Sequence, residues 1–302
     1  MTCRIPTREF ALYSLGESGP AAPACPLPFS PARYSRYKYG SVAAAEAFAQ
    51  ALGAAVAERH PELACAPRLL MASSPYTYVP TAATTLARRL QPVLNAARAR
   101  RGLPRVPLVQ VDRVTPAAGD YGTLSASARE GRMAANALSF GRFPPARVCG
   151  AHLLIVDDVR VTGAHQRCLM RASDELPLAA RAFLYLASFG SPAGGLDPTQ
   201  EDALNHAAVR SLDDLAGIVE ENDFAWNVRV CKFVLDPAQR DDLPRFLARM
   251  PGWFVRDLHH NSYRDGYARM SRYAPSHAVV RADLAGRSPG ALAGSPSRHP
   301  VG

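Results

Sequence analysis

Short apolar runs alternate along the chain with longer stretches of helical pattern, and this alternation narrows the available folds more than any other feature. Four runs are clear: "APRLLMASSP" (66–75), "VPLVQVDRV" (106–114), "AHLLIVDDV" (151–159) and "ARAFLYLASF" (180–189). Each is too short for a stable helix and is bounded by turn-forming or polar residues, the pattern of a strand buried on both faces. A fifth run, "NVRVCKFVLD" (227–236), is rich in β-branched residues and reads as a strand too.

Between these runs lie the helical stretches. "SVAAAEAFAQALGAAVAERH" (41–60) is an alanine-rich helix with Ser41 as its N-cap. "TAATTLARRLQPVLNAARARRG" (81–102) is a helix kinked or broken by Pro92. Further helices are expected in "HQRCLMRASDEL" (165–176), "DPTQEDALNHAAVRSLDDLAGIVEEN" (197–222, in one or two pieces) and "QRDDLPRFLARMP" (239–251). Strand alternating with helix implies an α/β fold: a mostly parallel central sheet with helices on both faces. Such sheets bind ligands beyond the carboxyl ends of their strands, near a reversal in strand order. Residues 1–30, rich in Pro, Gly and Ala, are expected to be a poorly ordered or surface-wrapping lead. Residues 31–282 form the α/β domain, and 283–302 read as a disordered tail.

Composition narrows the partners. The 302 residues carry a net charge of +9, almost all of it arginine, with lysine only at Lys38 and Lys232. That favours anionic partners such as phosphorylated metabolites or nucleic acid, although it fits a compositional bias equally well. The six cysteines are scattered without a CxxC pair, which points to reduced thiols in a cytoplasmic protein. No run approaches the roughly 20 apolar residues of a membrane span.

The densest chemistry lies in "LLIVDDVRVTGAHQ" (153–166). Asp157 and Asp158 stand at the exit of an apolar strand, and Gly163 permits a tight turn into a helix beginning near Ala164 or His165. The first amides of that helix have no intrahelical partners and its dipole favours an anion, so a phosphate fits there with the Thr162 hydroxyl as a further donor. Two carboxylates beside a phosphate repel it unless they have another task. They can accept hydrogen bonds from vicinal sugar hydroxyls, or help to hold a Mg²⁺ bridging to a second anionic group. A sugar 5-phosphate with free 2- and 3-hydroxyls satisfies both demands.

Four apolar residues, Asp-Asp-Val, two residues and Thr-Gly resemble the phosphoribosyl-pyrophosphate (PRPP) signature of type I phosphoribosyltransferases. The resemblance implies that fold, Rossmann-like with a small hood, and a glycosyltransferase that passes a phosphoribosyl group to a nitrogenous base or related acceptor in nucleotide salvage or nucleoside-like synthesis. It implies that Asp157 and Asp158 meet the ribose hydroxyls, and that Val161, Thr162, Gly163, Ala164 and His165 hold the 5′-phosphate. Mg²⁺ is then the cofactor, bound mainly through PRPP with Asp157 and Asp158 as candidate protein ligands. The family usually has Thr where this chain has His165.

Two further segments fit the same plan. "SSPYTYVPTAA" (73–83) occupies the place of the pyrophosphate loop, with Ser73, Ser74, Tyr76 and Thr77 as donors. "DYGTLSASAREGR" (120–132) occupies the place of the family's mobile catalytic loop, where Arg129 and Arg132 would neutralise pyrophosphate. "RYSRYKYG" (33–40) and "HHNSYRDGYARMSRY" (259–273) interleave arginine and tyrosine. They read either as core-packed lead-ins or as contacts to an acceptor base or nucleic acid. Across most of the chain these segments resemble one subgroup, the competence-protein-like (ComF-like) phosphoribosyltransferases associated with bacterial tellurium-resistance and stress clusters. Dimers are common in the wider family. The competing reading is a PRPP-sensing regulator of the same fold that binds nucleic acid without turnover. There is neither a GxSxG nor a P-loop to support an α/β hydrolase or phosphatase.

Overall fold

The structure is a computed structural model describing residues 5–15, 29–113, 138–140, 145–161, 163–189, 198–221 and 223–287. The chain divides into two compact units. The first comprises Met1–Pro28, Ala45–Thr77 and Ala83–Gln200, and the second Phe29–Ala44, Tyr78–Ala82 and Glu201–Gly302.

The first unit is an α/β layer. Its strands are β1 (Thr7–Leu15), β2 (Leu69–Ser73), β3 (Leu108–Val109), β6 (His152–Arg160) and β7 (Ala180–Phe189), arranged β1-β7-β6-β2-β3 with every pair parallel. A separate antiparallel pair joins β4 (Asp112–Arg113) to β5 (Leu138–Ser139). Leu70, Ala72, Leu153, Ile155, Phe183 and Tyr185 share one face of the sheet and pack with Leu169 from the helix Ala164–Ser173. The alternate residues Met71, Leu154, Val156, Leu184 and Leu186 are buried as well, which is why these strands read as unbroken apolar runs. The β2→β3 and β6→β7 connections run in opposite directions across the sheet. Right-handed crossovers therefore put the helices Ala82–Ala99 and Ala164–Ser173 on opposite faces. Strand order reverses between β2 and β6.

Two expectations need correction and a third is narrowed. Thr7–Leu15 lies inside the stretch expected to be irregular, yet it is a nine-residue strand in register with β7 from Thr7↔Arg181 to Leu15↔Phe189. It is an edge strand in which Phe10 alone among its described side chains is fully buried, so it carries little apolar alternation. Of a kink or a break at Pro92, the break is excluded, since the helix runs through it from Ala82 to Ala99. "NVRVCKFVLD" is not a strand: Val228–Leu235 is a helix, capped by the Asn227 side chain accepting from Val230 N–H at 3.1 Å. Its buried residues, Val230, Cys231, Val234 and Leu235, follow helical spacing, and in a run this short periodicity cannot separate a strand from a buried helix.

The second unit is helical. Helices Leu212–Glu220, Val228–Leu235, Leu243–Arg249, Gly252–Arg264 and Ala274–Gly286 contribute to one apolar core in which Phe224, Trp226, Phe246, Trp253 and Phe254 meet ring to ring. Ser211 and Asp214 form a reciprocal capping box at the start of the first of these. In the helix Pro31–Lys38 and the residue after it, Tyr34, Tyr37 and Tyr39 are at most 1% exposed. These tyrosines are core residues and offer no ring face for stacking on a base.

Arg98 anchors the segments that lead into β2 and β3. It is 1% exposed, and its guanidinium donates to the carbonyls of Pro104, Ala64 and Ala66 at 2.7–2.8 Å and of Pro67 at 3.5 Å. Arg98→Leu leaves those carbonyls without donors and should lower stability by about 3 kcal/mol, read as a shift in urea midpoint with an unchanged slope. In the second unit, His259 and His277 sit with ring centroids 5.0 Å apart beside Arg281 and His260. Burial first, then neighbouring positive charge, holds both imidazoles below the ordinary histidine range. The unfolded chain therefore takes up protons before the folded one does. Stability should be flat above about pH 6.5–7 and fall as pH drops through that value. His277→Leu should flatten this slope in thermal melts across pH 5–8.

Candidate functional site

The site forms where β2 ends beside β6, which runs on to Arg160 along β7, so that Asp157 and Asp158 lie within the strand and not at its exit. Ser73 is in register with Val156, so the next residue on each strand, Ser74 and Asp157, emerges at the same level. Ser74 Oγ donates to Asp157 Oδ1 at 2.7 Å, and the Asp158 backbone N–H donates to the same oxygen at 3.0 Å. Asp157 Oδ2 faces His165 Nε2 at 3.9 Å. The Asp157 side chain is only 14% exposed. Burial pushes its carboxyl above the usual carboxylate range and Asp158 adds to that. His165 and the Ser74 hydrogen bond pull the other way. Tyr185, in register with Asp157 on β7, has its phenol held well above the ordinary value by burial and then by the Asp157 and Glu9 carboxylates. Asp158 accepts from the Val159 N–H at 2.8 Å through Oδ1.

One turn further on, Gly163 has φ +68° and caps the helix Ala164–Ser173, whose first intrahelical bond runs from Arg167 N–H to the Gly163 carbonyl at 3.0 Å. The left-handed backbone is what requires glycine, since a Cβ here would meet only ordinary contacts: Arg167 Nη1 at 3.5 Å and Arg160 Nε at 3.6 Å. Those contacts also locate two guanidinium groups beside the helix N-terminus. Arg160 is held in place by Gln166 Oε1 at 3.1 Å and Glu9 Oε1 at 3.2 Å, while Gln166 donates to Glu9 Oε2 at 3.1 Å. Helix dipole, first-turn amides and two arginines make an anion seat.

The expected residues divide as follows. Asp157, Asp158, Val161, Gly163, Ala164 and His165 lie along one strand–turn–helix, and Ser74 joins them from β2. Ser73 turns away, its hydroxyl 3.0 Å from that of Thr84. Tyr76 bridges to Asp112, and Thr77 is exposed. Tyr78–Ala82 belongs to the second unit, where Asp265 accepts from the N–H groups of Tyr78 and Val79, and Tyr78 Oη lies 2.8 Å from His260 Nε2. Thr162, Arg129 and Arg132 lie outside the described residues. Arg160, Arg167, Glu9, Gln166 and Tyr185 join the site without any motif announcing them. Only the placing of Arg160 two residues before Thr-Gly, and of Arg167 one turn into the helix, could have flagged the two cations.

Among the described residues no group of three or more His, Cys, Asp or Glu could hold a metal by itself. A Mg²⁺ here would draw most of its ligands from a bound diphosphate, with Asp157 and Asp158, successive residues of β6, as the candidate carboxylates. No helix among the described residues is long and apolar enough to cross a membrane, and Cys65, Cys149, Cys168 and Cys231 are free thiols.

No curated protein matches the chain. A family model described as PRTase ComF-like matches residues 8–279, a span that runs from β1 through the carboxylate turn to the last described helix. On that match, with a parallel sheet and a glycine turn leading from β6 into a helix, the chain belongs to the ComF-like phosphoribosyltransferase family.

Proposed function

We propose that the protein transfers the phosphoribosyl group of PRPP to a nitrogenous base or related acceptor, in nucleotide salvage or in the synthesis of a nucleoside-like metabolite. The observation that carries this reading is the pairing of two carboxylates with an anion seat one turn away: Asp157 and Asp158 on β6, then Gly163 under Arg160 and Arg167. The seat takes the 5′-phosphate. The carboxylates take the ribose hydroxyls, which reward them for burial that water alone does not compensate. Mg²⁺ supplies neutralisation of the pyrophosphate when bound, with Asp157 and Asp158 as candidate protein ligands. Since Ser73 and Ser74 are engaged with Thr84 and Asp157, pyrophosphate falls to the backbone N–H groups of Ser74, Tyr76 and Thr77, the exposed Thr77 side chain, and Arg129 and Arg132. An acceptor nitrogen attacks C1 as pyrophosphate leaves from the opposite side, and the nitrogen then loses its proton. Positioning and charge stabilisation provide the rate, with no dedicated acid or base among the described site residues.

A second reading is favoured by one observation. Arg100, Arg101 and Arg105 are all exposed on the turn that follows the helix Ala82–Ala99, a local concentration of positive charge. This suits a PRPP-sensing regulator that binds nucleic acid. The two readings separate cleanly. With PRPP, Mg²⁺ and a panel of bases, the enzyme releases pyrophosphate. A regulator binds PRPP, binds RNA or DNA in a salt-dependent way, and releases none.

The double variant Asp157→Asn, Asp158→Asn should weaken PRPP binding at least a hundredfold by calorimetry, while its melting temperature stays at or above that of the parent. Retained tight binding would remove the carboxylates from the ribose site. Arg160→Met should weaken binding of PRPP and of inorganic phosphate alike, by about tenfold each, which is the loss of one charge-assisted hydrogen bond.

A further inference from the structure

We infer that His165 is a ribose-reading residue, paired with Asp157, and not a phosphate ligand of the turn it belongs to. The inference rests on the proposal that this site takes a ribose phosphate and adds the identity of one of its hydroxyl partners.

His165 is the second residue of the helix Ala164–Ser173, where a side chain serving the phosphate would turn towards the helix N-terminus. The imidazole turns instead towards β6. Its Nε2 is buried, has no hydrogen-bond partner, and lies 3.9 Å from Asp157 Oδ2. The other carboxylate oxygen, Oδ1, is already served by Ser74 Oγ and Asp158 N–H. Asp157 therefore presents one satisfied oxygen and one oxygen that looks across a gap at an unmatched ring nitrogen.

The width of that gap selects its occupant. At 3.9 Å the two atoms are too far apart to bond each other. An oxygen placed at ordinary hydrogen-bond length from both subtends an angle of roughly 90° between them, close to what one hydroxyl spans when it donates to one partner and accepts from the other. A hydroxyl can give its proton to Oδ2 and take one from Nε2–H. An ionised phosphate oxygen cannot, because it has no proton for Oδ2, and in any protonation state at neutral pH the group brings a like charge against it. The surrounding groups agree: the charged neighbour of Asp157 besides His165 is the carboxylate of Asp158, while the guanidinium groups of Arg160 and Arg167 gather at Gly163 on the turn. The phosphate end thus holds the cations, and the His165–Asp157 gap holds a matched donor and acceptor.

The test measures binding of ribose 5-phosphate and of inorganic phosphate to the full chain, as the parent, His165→Phe and His165→Gln. His165→Phe keeps a planar ring without a donor, and His165→Gln restores a donor. The expected result is an approximately tenfold loss of ribose 5-phosphate affinity in His165→Phe, with inorganic phosphate affinity within about twofold of the parent and most of the loss recovered in His165→Gln. Equal weakening of both ligands would return His165 to the phosphate and overturn the inference. So would undiminished ribose 5-phosphate binding in a folded His165→Phe. A parent protein that binds neither ribose 5-phosphate nor PRPP would fail differently, by removing the ribose-phosphate reading on which the inference stands.

Discussion

The parallel pairing of β2 with β6 is the constraint on which the site depends. In a parallel ladder, matched residues on neighbouring strands advance together, so the register Ser73↔Val156 delivers Ser74 and Asp157 to one level at the sheet's carboxyl edge. Strand order reverses between these two strands, and the chain leaves them towards opposite faces, the arrangement that opens a crevice at the carboxyl ends of such strands. A hydroxyl from one strand then meets a carboxylate from the other at 2.7 Å. A one-residue slip would turn Asp157 to the other face of the sheet and dissolve the contact.

The carboxylate is held at a cost. Burial works against its charge, Asp158 works against it again, and the contributions of His165, Ser74 and a backbone N–H only partly offset them. Such an arrangement is poor as a structural device, because an apolar residue would fill the same position on β6 without penalty. It makes sense as a site whose missing hydrogen bonds arrive with a ligand. The anion seat next to it is built in the opposite way. Its arginine is immobilised beforehand, with Glu9 and Gln166 fixing Arg160 so that little side-chain freedom remains to be lost on binding. Glu9 comes from β1, which gives that edge strand a role in the site as well as in the sheet.

The arginine-rich composition also resolves into separate tasks. Arg98 and Arg181 are structural: the first is surrounded by carbonyls, and the second bonds Thr7, Met170 and Ser173 and pairs with Asp174. Arg249 and Arg245 pair with Glu220 and Asp213 on the surface of the second unit. Arg160 and Arg167 stand at the Gly163 turn, and Arg100, Arg101 and Arg105 remain exposed. Net charge alone could not separate these groups, since a buried guanidinium satisfied by carbonyls counts the same as one facing solvent.

The α/β class, the strand–turn–helix of residues 153–166 and the carboxylate pair were legible in the sequence. They rest on local patterns: an apolar run, adjacent acids, and a glycine in a turn that needs positive φ. The edge strand β1 was not legible, because half of its covering comes from a neighbour 174 residues away in the chain. Val228–Leu235 was misread for a related reason: its β-branched residues suit a strand, and only the helical core around it decides that they turn through 3.6 residues per turn. The roles of Ser74, Glu9 and Arg160 depend on distances between strands. The sequence by itself determined which groups the chain can offer to a sugar phosphate, because those groups lie within a dozen consecutive residues. Tertiary structure alone decided how they are shared out, with Ser74 given to Asp157, Ser73 to Thr84 and the His165 ring facing Asp157 across 3.9 Å, because partners are chosen by proximity in space.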